Sequence, residues 1–127
     1  MFSSVIYKLQ FVLFNSAVPH SVSIGKGSRF AYGGIGCVIH ARAKIGSNCV
    51  IGQGITIGGR SKHESVPTIE DNVFIGAGAR ILGPITVGSG SIIAPNSVVI
   101  DNVSPRSIYG GVPARELKSN INLNEYI

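Results

Sequence analysis

The stretch "AKIGSNCVIGQGITIGG", residues 43–59, sets Ile45-Gly46, Ile51-Gly52 and Ile57-Gly58 six residues apart. Helices repeat at about 3.6 residues and strands at 2.0, so neither alone buries a branched side chain at every sixth place. The series runs Ile39, Ile45, Ile51, Ile57, Ile69, Ile75, Ile81, Val87, Ile93 and Val99, and Val18, Ile24 and Phe30 keep the spacing upstream. Two places before most of these stands a small or β-branched residue, as at Ala43, Cys49, Val73, Ala79, Ser91 and Ser97.

Residues two apart leave a strand on the same side. The residues that follow must turn a corner, where Gly or Asn adopts positive φ at little cost. Three sides of six residues predict a triangular coil of eighteen, with parallel strands stacked about 4.8 Å apart. Ile39 is then expected under Ile57, Ile75 and Ile93, Ile45 towards Ile81 and Val99, and Ile51 under Ile69 and Val87. Such a β-solenoid has a filled aliphatic interior, which leaves function to its outer edges and loops. Two interruptions stand out: nine residues between Phe30 and Ile39, and twelve between Ile57 and Ile69 with no apolar residue at place 63. The second reads as an outward loop, "GGRSKHESVP". Past Val99 the period ends and the chain is expected to leave the prism.

A chain of 127 residues fits one domain, read as an N-terminal helix over 1–17, a β-helix over 18–103 and a loop and tail over 104–127. With 44% hydrophobic and 13% charged residues it is too apolar for disorder, and a neighbouring chain is expected to cover part of its surface. Eleven Lys and Arg face six Asp and Glu, but singly scattered, which argues against nucleic acid and for a small anionic ligand. Cys37 and Cys49 lack metal spacing; they read as packing residues and fit a reducing cytoplasm. No metal is predicted: His20, His40 and His63 lie 20 and 23 residues apart, without the close pair of a trimeric zinc hydratase. Phe2, Val5, Ile6, Leu9, Val12 and Leu13 fall on one helical face, with Ser3 or Ser4 as cap. The segment is too short to span a bilayer. It is expected to pack on a neighbouring subunit, with weak membrane-surface contact as the lesser alternative.

The repeat, "TIGG" at 56–59, "VFIGAGARILGPITVGSGSIIAPNSVV" at 73–99 and "GGVPARELK" at 110–118 resemble the serine acetyltransferase branch of the hexapeptide-repeat acyltransferases. The short sugar and polysaccharide O-acetyltransferases look closest. The resemblance implies a left-handed parallel β-helix, a homotrimer and active sites in grooves between subunits. It also implies acetyl-CoA along a coil edge, its narrow pantetheine arm near Gly59, Ala77 and Pro95, which an eighteen-residue coil would place in one row. Arg115 and Lys118 are the cations expected at its phosphates.

Acetyl transfer to a hydroxyl needs a base for the alcohol proton, and histidine suits that task near neutral pH. The family's Asp-His pair matches Ala31-Tyr32 here, so its base is missing from that place. His40, at a corner place usually given to Gly, is the expected base, one coil beneath the loop that carries His63. His63 would orient it or bind the acceptor, while Tyr32 and Gln53 are weaker acceptor contacts. The Gly58-Gly59 turn would offer N–H groups to the oxyanion. A sugar hydroxyl is the favoured acceptor, with serine as the alternative and a non-catalytic trimeric scaffold as the rival of another class.

Overall fold

A computed structural model describes residues 2–127. Phe2–Phe14 form one α-helix. Ser3 and Ser4 lie inside its first turn, which overturns their reading as caps. Asn15, in the left-handed region at φ 53°, ends the helix and leads into the prism.

The remainder is a left-handed parallel β-helix of short strands in three sheets of four, six and four. Left-handed winding departs from the crossover rule, but that rule concerns helices returning across a sheet, and here two-residue strands simply turn corners. The first face stacks Ile24, Ile45, Ile69 and Val87, with Val103 bridged above. The second stacks Phe30, Ile51, Ile75, Ile93 and Tyr109. The third stacks Ile39, Ile57, Ile81 and Val99, with Ala17 bridged to Val38 below.

These ladders correct the expected register. Ile39 does lie under Ile57, eighteen residues on, but Ile75 and Ile93 belong to the second face. Ile45 pairs with Ile69 and Ile51 with Ile75, each twenty-four residues on. The reason is the segment 58–66. Its six extra residues bulge outward at one corner and do not form a side of the triangle, so Ile69 directly follows Ile57 around the coil. The same logic makes the first coil twenty-one residues, since the 3₁₀ turn Ala31–Gly34 adds three.

Inside, Ile51, Ile57, Ile75, Ile81 and Ile93 are fully buried, each contributing roughly 1.5–3 kcal/mol of hydrophobic stabilisation. The predicted inner partners Ala43, Cys49, Val73, Ala79, Ser91 and Ser97 are buried beside them. Why glycine follows isoleucine is also plain. A Cβ on Gly52 would lie 2.7 Å from the Ala77 backbone nitrogen, and one on Gly76 2.7 Å from that of Pro95. At these corners the next coil sits where a side chain would be.

Residues 104–127 do not simply leave the prism. Ile108–Gly111 joins the second face parallel to Ile92–Ile93, and Ala114–Lys118 folds back antiparallel upon it. The reversal passes through a cis Val112-Pro113 bond.

Candidate active site

His40 directly follows Ile39 and turns the corner after the third face. Its N–H donates to the Ile57 carbonyl at 2.8 Å, which fixes its backbone to the coil above. Glycine usually fills this place because a side chain meets the next coil. His40 is tolerated because the next coil offers Gly58 and Gly59 there, from which the loop swings outward. His40 is half-buried, and its Nδ1 accepts the Arg42 N–H at 3.1 Å. A neutral imidazole holding that bond carries its proton on Nε2, so the outward nitrogen is a donor.

The loop returns to this same corner. Arg42 Nη2 donates to the Glu64 carbonyl at 2.8 Å, and a Cβ on Gly59 would lie 3.7 Å from Val66 at the loop's base. Arg60 lies over Gly83 one coil higher, where a Cβ would meet its Cδ at 2.5 Å. His63 is exposed in the loop, its N–H donating to the Arg60 carbonyl at 3.1 Å. His20 lies one coil below on this edge: its neighbour Ser21 donates from Oγ to the Ala41 carbonyl at 3.2 Å. The edge thus gathers three histidines with Arg42 and Arg60. Sequence reasoning passed over both arginines, since neither breaks the repeat. Their signal was proximity, Arg42 two residues past His40 and Arg60 just past the Gly58-Gly59 turn.

The corner after the second face is different in character. Gln53, Ala77 and Pro95 each stand two residues past a stacked residue of that face and form one row along its edge, with Ile35 beneath Gln53 and Tyr32 in the three-residue bulge at the foot of the same corner. The Gly78 N–H donates to the Gln53 carbonyl, and the Asn96 N–H to that of Ala77, both at 2.9 Å. Tyr32 is 78% exposed and sits at φ 52°, between Phe30 and two glycines that also have positive φ. Above Ala77 the edge carries Ala94, Pro95, Gly110 and Gly111, with the exposed Leu117 side chain lying against Gly110. A narrow arm fits beside such a strip, and the Ala114–Lys118 strand sets Arg115 opposite Gly110 at its upper end and Lys118 opposite Ile108 at the start of that side, both exposed. Arg115 donates from Nη1 to the Ala114 carbonyl at 3.1 Å. Lys118 donates from Nζ to the Tyr126 hydroxyl at 3.1 Å, a contact that raises its pKa.

Gly59 is not in that row. It lies beside His40, on the corner after the third face, because the loop shifts the register by six. The predicted track of Gly59, Ala77 and Pro95 therefore divides between two edges of one chain. The chemistry divides likewise, with His40 and His63 on one edge and Tyr32 and Gln53 on the other. An open recess of about 610 Å³ occupies neither edge; the third corner (Asn72, Gly90, Arg106) and residues 120–124 line it. Among the described residues no group of three or more His, Cys, Asp or Glu is placed to hold a metal ion. No helix among them is long and apolar enough to cross a membrane.

Parallel three-sided coils, hexad spacing and one outward loop define a class, and the chain belongs to the hexapeptide-repeat acyltransferase family. The family described as bacterial transferase hexapeptide (six repeats) matches residues 67–101. Within that class the similar proteins are serine acetyltransferases. The one from Bacillus subtilis (strain 168) is 43% identical over 89 residues, 68% of this chain and 41% of the relative. A Brucella abortus serine acetyltransferase solved in complex with coenzyme A is 32% identical, with TM-score 0.87, over 95% of this chain and 49% of that one. Soybean serine acetyltransferase complexed with serine is 36% identical, with TM-score 0.82, over 90% of this chain and 47% of that one. The chain spans less than half the length of each. These relatives carry serine acetyltransferase names, which favour the serine alternative over the sugar or polysaccharide reading.

Proposed function

We propose that the chain is an acetyl-CoA-dependent O-acetyltransferase acting in the groove between two copies of a homotrimer. The observation that carries this is the match of nearly its whole length to a serine acetyltransferase solved with coenzyme A. The division of candidate residues between two edges supports the groove. In a cyclic assembly the edge bearing His40 and Gly59 meets a neighbour's edge bearing Tyr32, Gln53, Ala77 and Pro95. The two halves of the track, separated within one chain, then line one cleft.

In that cleft Ala77 and Pro95 leave room for pantetheine, and Arg115 and Lys118 face its phosphates. The acceptor hydroxyl attacks the thioester carbonyl, and its proton passes to an imidazole. The coenzyme A thiolate then leaves and recovers that proton. His40, with Nδ1 held by Arg42, serves as an Nε2–H donor to the developing oxyanion, and His63 takes the proton. The other assignment keeps His40 as base. It is favoured by the firm seat of His40 on the coil, and costs only the Arg42 bond, about 1 kcal/mol.

The acceptor is the hydroxyl of serine or a serine-like small molecule, the reading that the relatives' names support. A sugar hydroxyl is the second reading. It rests on Ala31-Tyr32, which stands where the serine enzymes carry Asp-His.

Thiol release from acetyl-CoA, measured across L-serine and a panel of sugars, tests the activity and ranks the acceptors. No release with any acceptor above the hydrolysis background would leave the scaffold reading instead. His40→Ala is expected to slow release at least tenfold under either assignment. His40→Gln, which keeps a donor, is expected to retain most activity if His40 donates and little if it is the base.

A further inference from the structure

The N-terminal helix leaves most of its apolar stripe bare. A helix in a globular protein ordinarily turns its apolar stripe to the core and its polar face to water. Here the side towards the prism is mixed, with Ser3, Ile6, Tyr7 and Gln10 set around Val18 and His20, and it is tied by Gln10 Oε1, which accepts the Val18 N–H at 2.8 Å. Val5, Leu9, Val12 and Leu13 are exposed by 51, 52, 77 and 67%. The backbone holds this orientation, since the Phe14 carbonyl accepts the Gly36 N–H at 3.0 Å. Ser16 Oγ ties the same junction to the Gly34 carbonyl.

A second, independent feature marks the same end of the molecule. Residues 1–63 contain seven Lys and Arg and no Asp or Glu, whereas residues 64–127 contain four basic and all six acidic residues. Because the coils stack in chain order, this asymmetry runs along the prism axis. Lys8, Lys26 and Arg29 are exposed at the helix end, where Ser23–Ile24 and Arg29–Phe30 are the outermost strands of their sheets. Basic residues on free strand edges also discourage edge-to-edge pairing. That role, however, asks for no bare apolar helix beside them.

We infer that this basal end docks on an anionic lipid bilayer surface. The helix lies in the interfacial plane with Val5, Leu9, Val12 and Leu13 at the acyl boundary, and Lys8, Lys26 and Arg29 meet headgroup phosphates. Apolar burial and attraction to anionic lipid act together in such helices, each Lys or Arg near the surface strengthening binding several-fold. A second copy is the other occupant of an apolar face. Charge argues against two basal ends packed together, which would bring like-signed surfaces face to face, and a side-by-side neighbour is the outcome that the oligomer measurement below detects.

The test is co-sedimentation of the full chain with vesicles of phosphatidylcholine alone and of phosphatidylcholine with phosphatidylglycerol. Binding is expected only to the anionic vesicles and is expected to fall as salt is raised. The pair Leu9→Glu and Val12→Glu, and separately the pair Lys26→Gln and Arg29→Gln, are each expected to weaken partition at least roughly tenfold. Circular dichroism and oligomer mass should stay as in the parent chain. Absence of binding, equal binding to both vesicles, or partition unmoved by either pair would overturn the inference. So would an oligomer that dissociates with Leu9→Glu and Val12→Glu, which would show a second copy to be what covers this face.

Discussion

Ile57 stacks on Ile81, twenty-four residues on, and Ile75 lies on a different face. This single offset decides which surface residues are neighbours. It places Gly59 beside His40 and removes it from the Ala77 row, so a site built from both needs two edges brought together.

If residues 60–65 are a pure insertion, deleting these six should bring Ile57 and Ile69 to hexad spacing and leave every ladder intact. The shortened chain is expected to fold with stability changed by no more than about 1 kcal/mol, since loop length enters closure entropy only weakly. Activity should be lost with His63 and the Arg42–Glu64 tie. Chemical denaturation followed by circular dichroism checks the first outcome. A chain that fails to fold would show that the segment is part of the coil.

The corner glycines separate into two kinds. Gly52→Ala puts a Cβ 2.7 Å from the Ala77 nitrogen, a backbone atom that cannot yield alone. We expect a loss of about 1–3 kcal/mol, the usual cost of overpacking. Gly58→Ala would meet Thr56 and Leu82 side chains at 3.7 and 3.8 Å. It should stay within about 0.5 kcal/mol of the parent. Urea titration of the two variants side by side measures the difference, and equal losses would contradict this account of the Ile-Gly pairs.

Much of the fold is legible from side-chain spacing alone, because each buried Ile reports one strand and each Gly reports a corner too tight for a Cβ. Counting cannot tell whether twelve residues between Ile57 and Ile69 make two sides or one side with a bulge. The empty place 63 marks the loop, but a count by eighteens keeps its residues in the coil. Such a count sets Ile75 on the wrong face and Gly59 in the wrong row. His40 was legible as a side chain in a glycine place. Its Nδ1 partner was not, since that bond depends on how the turn from His40 to Arg42 closes.

Cys37 and Cys49 are both buried, and burial raises both thiols above their ordinary value of 9.0. Cys37 Sγ faces the Gly52 carbonyl at 3.4 Å and Cys49 Sγ the Glu70 carbonyl at 3.0 Å. Thiols that ionise less readily when folded keep their proton where the unfolded chain loses it. Their contribution is therefore complete below pH 9.0 and declines as pH rises from there towards the folded values. Stability measured across pH 7 to 11 should fall above about 9. Replacing both cysteines with Ala should flatten that fall, although the cavities left behind lower stability at every pH. Neither thiol should react with a disulfide reagent at pH 8 until the chain is unfolded.

Subunit mixing tests the groove directly. His40→Ala damages one edge, and Ala77→Trp fills the small-residue track on the other. Each homotrimer should be nearly inactive, because every groove joins one damaged edge to an intact one. When the two variants are unfolded together and reassembled at equal amounts, some grooves receive an intact His40 edge and an intact Ala77 edge. Random assortment makes that about a quarter of all grooves, so about a quarter of the parent activity is expected. A site contained within one chain would be damaged in every subunit, and mixing would then restore nothing. Acetyl-CoA-dependent thiol release, read on the mixture and on each variant alone, separates the two outcomes.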